Sequence, residues 1–173
     1  MNLKRFLKII LFLIASLLLL ATSSFAGQFK VTRVYDGDTI KAEGHDTIIK
    51  VRLLGIDAPE TSKKKREPGQ PYSQGAKKYL ASLVLNKTVD IKGYRLDRYN
   101  RLLGVIYLNG KNINLEMVKA GLAEVYRGRP PKGFDSTPYL EAEREAREAN
   151  RGMWSLGKEY ISPKEWRRMH RKR

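Results

Sequence analysis

The sequence predicts an α+β chain of one domain, mainly β: a small closed barrel with helices packed on it. Three observations point there. Short apolar runs alternate with tight-turn residues through positions 28–57, two further strand patterns follow between 88 and 108, and three helical patterns with capping residues lie between and after them. At 173 residues the chain can hold one domain with a real core and not comfortably two.

The elements follow in order. Phe29, Val31 and Val34 mark a first strand, which gives way to the turn Asp36-Gly37-Asp38. Thr39-Ile40 resume the extended pattern, and Gly44-His45-Asp46 is a second turn signal. Ile49, Val51 and Leu53 alternate, which places Lys50 and Arg52 on the opposite face of a third strand. Residues 61–71 read as a loop: Lys63, Lys64, Lys65 and Arg66 precede Pro68-Gly69-Gln70-Pro71, too polar and too rich in breakers for regular structure. Ala76, Tyr79, Leu80 and Leu83 fall on one helical face, with Asn86 to end that helix. Thr88–Leu96 and Leu102–Leu108 read as strands around the polar turn Asp97-Arg98-Tyr99-Asn100, and Asn109-Gly110 closes the second. Asn114 is expected to cap a short helix that buries Leu115 and Val118 and stops at Gly121. Thr137-Pro138 opens a third helix, with proline where no N–H is needed. Glu141 and Glu143 suit its positive end, Arg144 and Glu148 form an i,i+4 pair, and Gly152 terminates it. About five strands and three helices in this length fit a five-stranded barrel of the OB type, which offers a binding groove.

The first 26 residues are set apart. Lys4, Arg5 and Lys8 precede an apolar run from Ile9 to Leu20, and Ser24-Phe25-Ala26 places small residues where a signal peptidase reads. The pattern is that of a cleavable signal peptide, so residues 1–26 are expected to be removed and the chain to be secreted or periplasmic. A membrane anchor is the rival reading, but the 12-residue run is short of the roughly 20 a spanning helix needs. The domain then runs from 27 to 157, followed by a basic tail at 158–173. Ser162-Pro163-Lys164-Glu165 in that tail has capping-box spacing. Trp166, Arg167, Arg168, Arg171, Lys172 and Arg173 follow, read as a solvated basic face in preference to a dedicated polyanion-binding arm.

Net charge is +16, from 34 Lys and Arg against 18 Asp and Glu. Removing residues 1–26 takes away three of these charges and leaves +13, so the basic character belongs to the domain. A field of that sign favours nucleic acid, anionic lipid or acidic glycans, and by itself carries no chemistry. The absence of cysteine excludes disulfides, thiolate metal sites and a cysteine nucleophile.

Chemistry is suggested by two segments, Asp36-Gly37-Asp38-Thr39 and Arg52-Leu53-Leu54-Gly55-Ile56-Asp57-Ala58-Pro59-Glu60. An Asp-Gly pair is ordinary hairpin chemistry. An arginine inside an apolar strand with two carboxylates just beyond it is not. Several carboxylates meeting at neighbouring strand ends repel one another unless a cation joins them. All-oxygen ligands favour calcium, magnesium or manganese over zinc. Arg52 is equally readable as a structural ion-pair partner of Asp57 or Glu60.

The order Asp38-Thr39, then Arg52 through Glu60, then Asp97-Arg98-Tyr99-Asn100-Arg101, resembles the thermonuclease (staphylococcal-nuclease-like) family. Gly121-Leu122-Ala123 and Asn150-Arg151-Gly152-Met153-Trp154-Ser155 resemble its later segments, so the likeness covers roughly 28–156. The resemblance implies an OB-fold barrel and a calcium-dependent endonuclease acting on DNA and RNA and leaving 3′-phosphates. It implies that Asp38, Asp57 and the Ala58 carbonyl hold one calcium ion, with Asp36 shaping the site through water. Glu60 matches the proposed general base, and Arg52 and Arg101 match the arginines that hold the scissile phosphate. Two departures stand out. Asn100 replaces a glycine common before the arginine, although Asn tolerates a left-handed turn. Ala58 replaces a threonine, and only its carbonyl is required. Tyr72 and Tyr126 are candidates for stacking on a base, or for packing at the rim. His45 and His170 fall outside every motif. A monomer without a stable protein partner is expected. The rival functions are a non-catalytic OB-fold nucleic-acid-binding module and a basic envelope protein binding lipid or glycan; neither explains the acidic cluster.

Overall fold

The computed structural model describes residues 27–62 and 67–170. The proposed signal peptide at 1–26 and the basic run Lys63–Arg66 lie outside the described residues.

Five strands close the barrel: β1 (Gly27–Val34), β2 (Thr39–Gly44), β3 (Thr47–Leu53), β5 (Thr88–Leu96) and β6 (Leu102–Leu108). Sheet order is β3-β2-β1-β5-β6, and β3 pairs with β6 to shut the ring. That closing pair is parallel, with Arg52 opposite Leu103, while the other barrel pairs are antiparallel. Register shifts between Val31 and Arg33, and between Gly93 and Arg95, bend the strands as closure of so few requires. Alternation works as expected: Val31, Ile40, Ala42, Val51 and Leu53 fill the interior, leaving Thr39, Lys50 and Arg52 on the outer face.

The helices pack on this barrel. α1 (Ser73–Val84) buries Ala76, Leu80 and Val84. α2 (Ile113–Lys119) follows the two-residue strand β7 (Lys111–Asn112), and α3 is Thr137–Glu148. Two further helical segments lie beyond Asn150: a 3-10 stretch at Gly152–Glu159, kinked at Gly157, and α4 (Pro163–Met169).

The helix cap near residue 114 is corrected. Asn112, not Asn114, caps α2, its side chain accepting from the Leu115 amide at 3.1 Å. Asn114 turns inward and is fully buried. Its Oδ1 accepts from the Ile106 amide at 3.1 Å, and its Nδ2 donates to the carbonyls of Leu54 (2.9 Å) and Gly104 (3.0 Å). The side chain thus ties α2 to β6 and to the turn after β3. Ile113, Met117 and Val118 form the buried face of α2, with Leu115 only partly covered. Glu143, expected at the positive end of α3, is buried, where it accepts from the Val125 amide at 2.9 Å and pairs with Arg127. The surface pair Arg144–Glu148 forms as expected, at 2.7 Å.

Candidate active site

The site is built where β3 leaves the barrel. After Leu53 the chain turns through Gly55, whose φ of +84° favours glycine. A side chain there would also run into the Phe134 ring. The turn delivers β4 (Ile56–Asp57), fixed by antiparallel pairing with β8 (Glu124–Val125). The Tyr126 amide extends this pairing with a bond to the Gly55 carbonyl at 2.9 Å. Asp57 is therefore positioned by a short ribbon outside the barrel, and it is only 2% exposed.

The second carboxylate arrives from the turn between β1 and β2. Asp36 Oδ1 accepts from the Asp38 amide at 3.1 Å, which folds the turn on itself. Gly37 lies against Ala58 and Ala76; a Cβ there would meet both methyls at 2.7 Å. This close approach packs the turn between β4 and α1. Asp38 is 4% exposed. Its Oδ2 accepts from the Ala58 amide at 2.9 Å and its Oδ1 from the Thr39 hydroxyl at 2.9 Å.

Arg52 joins the two aspartates. One terminal nitrogen contacts Asp38 Oδ1, and the other donates to Asp57 Oδ1 at 2.8 Å and to the Ile56 carbonyl at 3.4 Å. Of the two readings of this residue, the geometry shows the ion-pair bridge, and it places the side chain on the outer face of the barrel. Burial raises the Asp36 carboxyl above its ordinary value, and the charges of Arg52 and, further off, Arg101 offset this only in part.

Glu60 follows at the rim. Its amide donates to Gln70 Oε1 at 3.0 Å, and its carbonyl accepts from the Gln70 amide at 2.9 Å. Gln70 is itself buried, so the backbone of Glu60 is held on both sides. Arg101 sits at the end of the β5–β6 turn and is held by Asp97 through Nε at 2.8 Å and a terminal nitrogen at 2.7 Å. Asn100 takes φ of +59°, the left-handed turn expected of it. Burial works against it, but hydrogen bonds from the Arg101 and Tyr99 amides and from the Arg101 side chain hold Asp97 below the usual carboxylate range. Tyr72 is partly exposed and shares a 2.7 Å hydrogen bond with Ser155, and Tyr126 is half exposed. His45 packs edge-on against Phe29, and His170 stacks on Trp166.

Two participants escaped the sequence reading. Glu124, the cross-strand partner of Asp57, is buried and accepts from the Tyr160 hydroxyl. Burial raises its carboxyl above the ordinary value. No local signal marked it, because a two-residue strand carries no readable period. The other is Arg167, which corrects the expectation of a solvated tail. Ser162 does cap a helix, accepting from the Glu165 amide at 3.1 Å as the capping box suggested. Yet α4 turns back on the site. Arg167 meets Asp57 with both terminal nitrogens, at 3.0 and 2.7 Å, and Glu60 at 2.5 Å.

A hard divalent cation suits the donor set in kind. Asp38 and Asp57 converge on one guanidinium, both offering oxygen. Among the described residues, however, no group of three or more His, Cys, Asp or Glu side chains is gathered as a ready metal cage. Arginines hold the carboxylates instead.

A five-stranded OB barrel that carries Asp38, Asp57, Arg52 and Glu60 at one end suits a phosphodiester hydrolase of the nuclease class, and the comparisons show that class. Comparison with known proteins gives the family. The profile of the staphylococcal nuclease homologues matches residues 50–156, and the chain belongs to that family. It is 38% identical over 167 residues to an "uncharacterized endonuclease" of Haemophilus influenzae, covering 92% of this chain and 86% of that one. A protein of the same name from Escherichia coli O157:H7 is 38% identical over 145 residues, 83% and 85% of the two chains. "Probable endonuclease LCL3" of Komagataella phaffii is 36% identical over 129 residues, 71% and 56% of the two chains.

Proposed function

We propose that this nuclease is an exported, calcium-dependent endonuclease that cleaves DNA, RNA or both and leaves 3′-phosphate ends. The observation that carries the reading is the convergence of Asp38 and Asp57 on Arg52 at one end of the barrel. Asp38, Asp57 and the Ala58 carbonyl would hold the metal, with Asp36 acting through water. Calcium bound there supplies Lewis-acid polarisation of the phosphate.

The chain's own groups do the rest. Arg52 offers a planar fork of donors to the phosphate oxygens, a match that lysine cannot reproduce. Arg101 stands nearby and exchanges Asp97 for the phosphate as charge builds on its oxygens. Glu60, three residues beyond Asp57, takes the proton of the attacking water. Such general-base assistance contributes about 10²–10⁴-fold. Tyr72 and Tyr126 are exposed enough to take a base by stacking.

The test is to incubate the purified chain with plasmid and with RNA, in calcium and then in a chelator. Cleavage in calcium that the chelator abolishes supports the reading. Intact substrate under every metal condition, with a retained gel shift, favours a non-catalytic binding module. Export is checked by N-terminal sequencing of protein from outside the cytoplasm: a chain starting at Gly27 supports removal of residues 1–26, and one starting at Met1 contradicts it.

A further inference from the structure

We propose that Arg167 is a resident cation of the carboxylate cradle, competing directly with the divalent metal, so that α4 is a tethered plug that metal binding must displace. The inference rests on the reading of Asp57 as a metal ligand and goes beyond it, because it assigns a second, internal occupant to the same oxygens.

Occupancy carries the argument. Asp57 Oδ1 receives Arg52 at 2.8 Å and Arg167 at 3.0 Å, and Oδ2 receives Arg167 at 2.7 Å. Arg167 also takes Glu60 Oε1 at 2.5 Å. Both Asp57 oxygens therefore face guanidinium donors. A metal brought to Asp57 meets two cations already there, and relief of that like-charge repulsion favours the departure of one arginine. Arg52 projects from the outer face of β3, a strand paired on both sides within the closed barrel, and its side chain is 14% exposed. Arg167 is 41% exposed and belongs to a seven-residue helix, Pro163–Met169. Arg167 is the group that can leave.

The docking of α4 is built in by more than this ion pair. Gln70 Nε2 donates to the Ile161 carbonyl at 2.7 Å, while its Oε1 accepts from the Glu60 amide at 3.0 Å. One buried side chain thus ties the rim that carries Glu60 to the segment that leads into α4. Trp166 closes a small apolar hollow with Pro71, Met153 and Tyr160. The Gln70 bond to Ile161 holds the segment that leads into α4, so Arg167 stays close when α4 lifts, and competition is intramolecular and recurs each time the metal departs.

Competition divides the apparent metal affinity by the fraction of molecules whose cradle is open. A plug closed in about nine molecules of ten costs on the order of tenfold in affinity. The experiment is a calorimetric titration of the full chain with calcium chloride, beside Arg167→Gln and Arg167→Lys. Arg167→Gln is expected to bind calcium on the order of tenfold more tightly. Arg167→Lys, which keeps the charge but not the two-pronged grip, falls between. A second readout is tryptophan emission. Calcium shifts the wild-type signal as Trp166 leaves its hollow, and the shift is lost in Trp166→Phe. Equal or weaker calcium binding by a folded Arg167→Gln overturns the plug while leaving the metal reading in place. Absence of calcium binding in all three chains overturns the metal reading and the plug with it.

Discussion

Replacement of Arg52 separates its two roles, because they predict different losses. The side chain bridges Asp38 and Asp57, which are 4% and 2% exposed. Breaking a buried ion pair by removing one partner costs about 3–5 kcal/mol, since a buried charge is left uncompensated. Here the loss is uneven. Asp57 keeps Arg167, whereas Asp38 keeps, among the described residues, the Thr39 hydroxyl and the Ala58 amide. Arg52→Met is therefore placed near the lower end, about 3 kcal/mol in a chelator at pH 7. With a urea m-value of about 2 kcal/mol per molar, the midpoint falls by about 1.5 M at unchanged slope. Arg52→Lys restores a charge without the fork, so most of that stability returns while phosphate grip does not. The assay is equilibrium urea unfolding beside a cleavage rate for each variant. If Arg52→Met unfolds within about 0.5 kcal/mol of wild type, near the range of ordinary surface changes, the bridging argument fails. If Arg52→Lys cleaves at the wild-type rate, the residue is a structural partner and not a phosphate ligand.

Other perturbations test the frame around the site. Asn114→Leu leaves the Ile106 amide and the Leu54 carbonyl without the bonds Asn114 supplied and should cost about 2–4 kcal/mol in urea unfolding; a loss under about 1 kcal/mol would mean that water replaces them. Gly55→Ala forces a Cβ toward Phe134 at positive φ and should cost about 1–3 kcal/mol, read as a lowered melting temperature. Asp97→Ala should lose about 1–3 kcal/mol at neutral pH. The folded-state carboxyl of Asp97 lies below its ordinary value of 3.8. Its contribution is thus fully present above 3.8 and lost as pH falls through the lower folded value. The gap between wild type and Asp97→Ala should close below about pH 4, and a gap constant from pH 7 to pH 2 would contradict the assignment.

The barrel was legible because its signals are local. Ile49, Val51 and Leu53 alternate, Asn109-Gly110 turns, and each of these acts within a few residues. The acidic turn and the stretch from Arg52 to Glu60 were legible through the likeness of their ordered motifs to a known family, while the residues alone left Arg52 open between two roles. What escaped depends on contacts between distant residues. Asn112 and Asn114 are both plausible caps, and only the need of Ile106, Leu54 and Gly104 for a partner decides that Asn114 turns inward. Glu143 has the spacing of a solvated helix residue, yet the Val125 amide and Arg127 claim it. The capping box at Ser162 announced α4, but the meeting of Arg167 with Asp57 joins residues 110 positions apart. No periodicity encodes such a contact.

Glu60 is proposed to activate water beside a metal held by Asp38 and Asp57. The direct test is the single-turnover cleavage rate of Glu60→Gln at saturating calcium, with calcium affinity measured on the same sample. The rate is expected to fall by about 10²–10⁴-fold with calcium affinity no weaker than wild type. A wild-type rate would contradict it, and a parallel collapse of rate and affinity would make Glu60 a ligand and not a base.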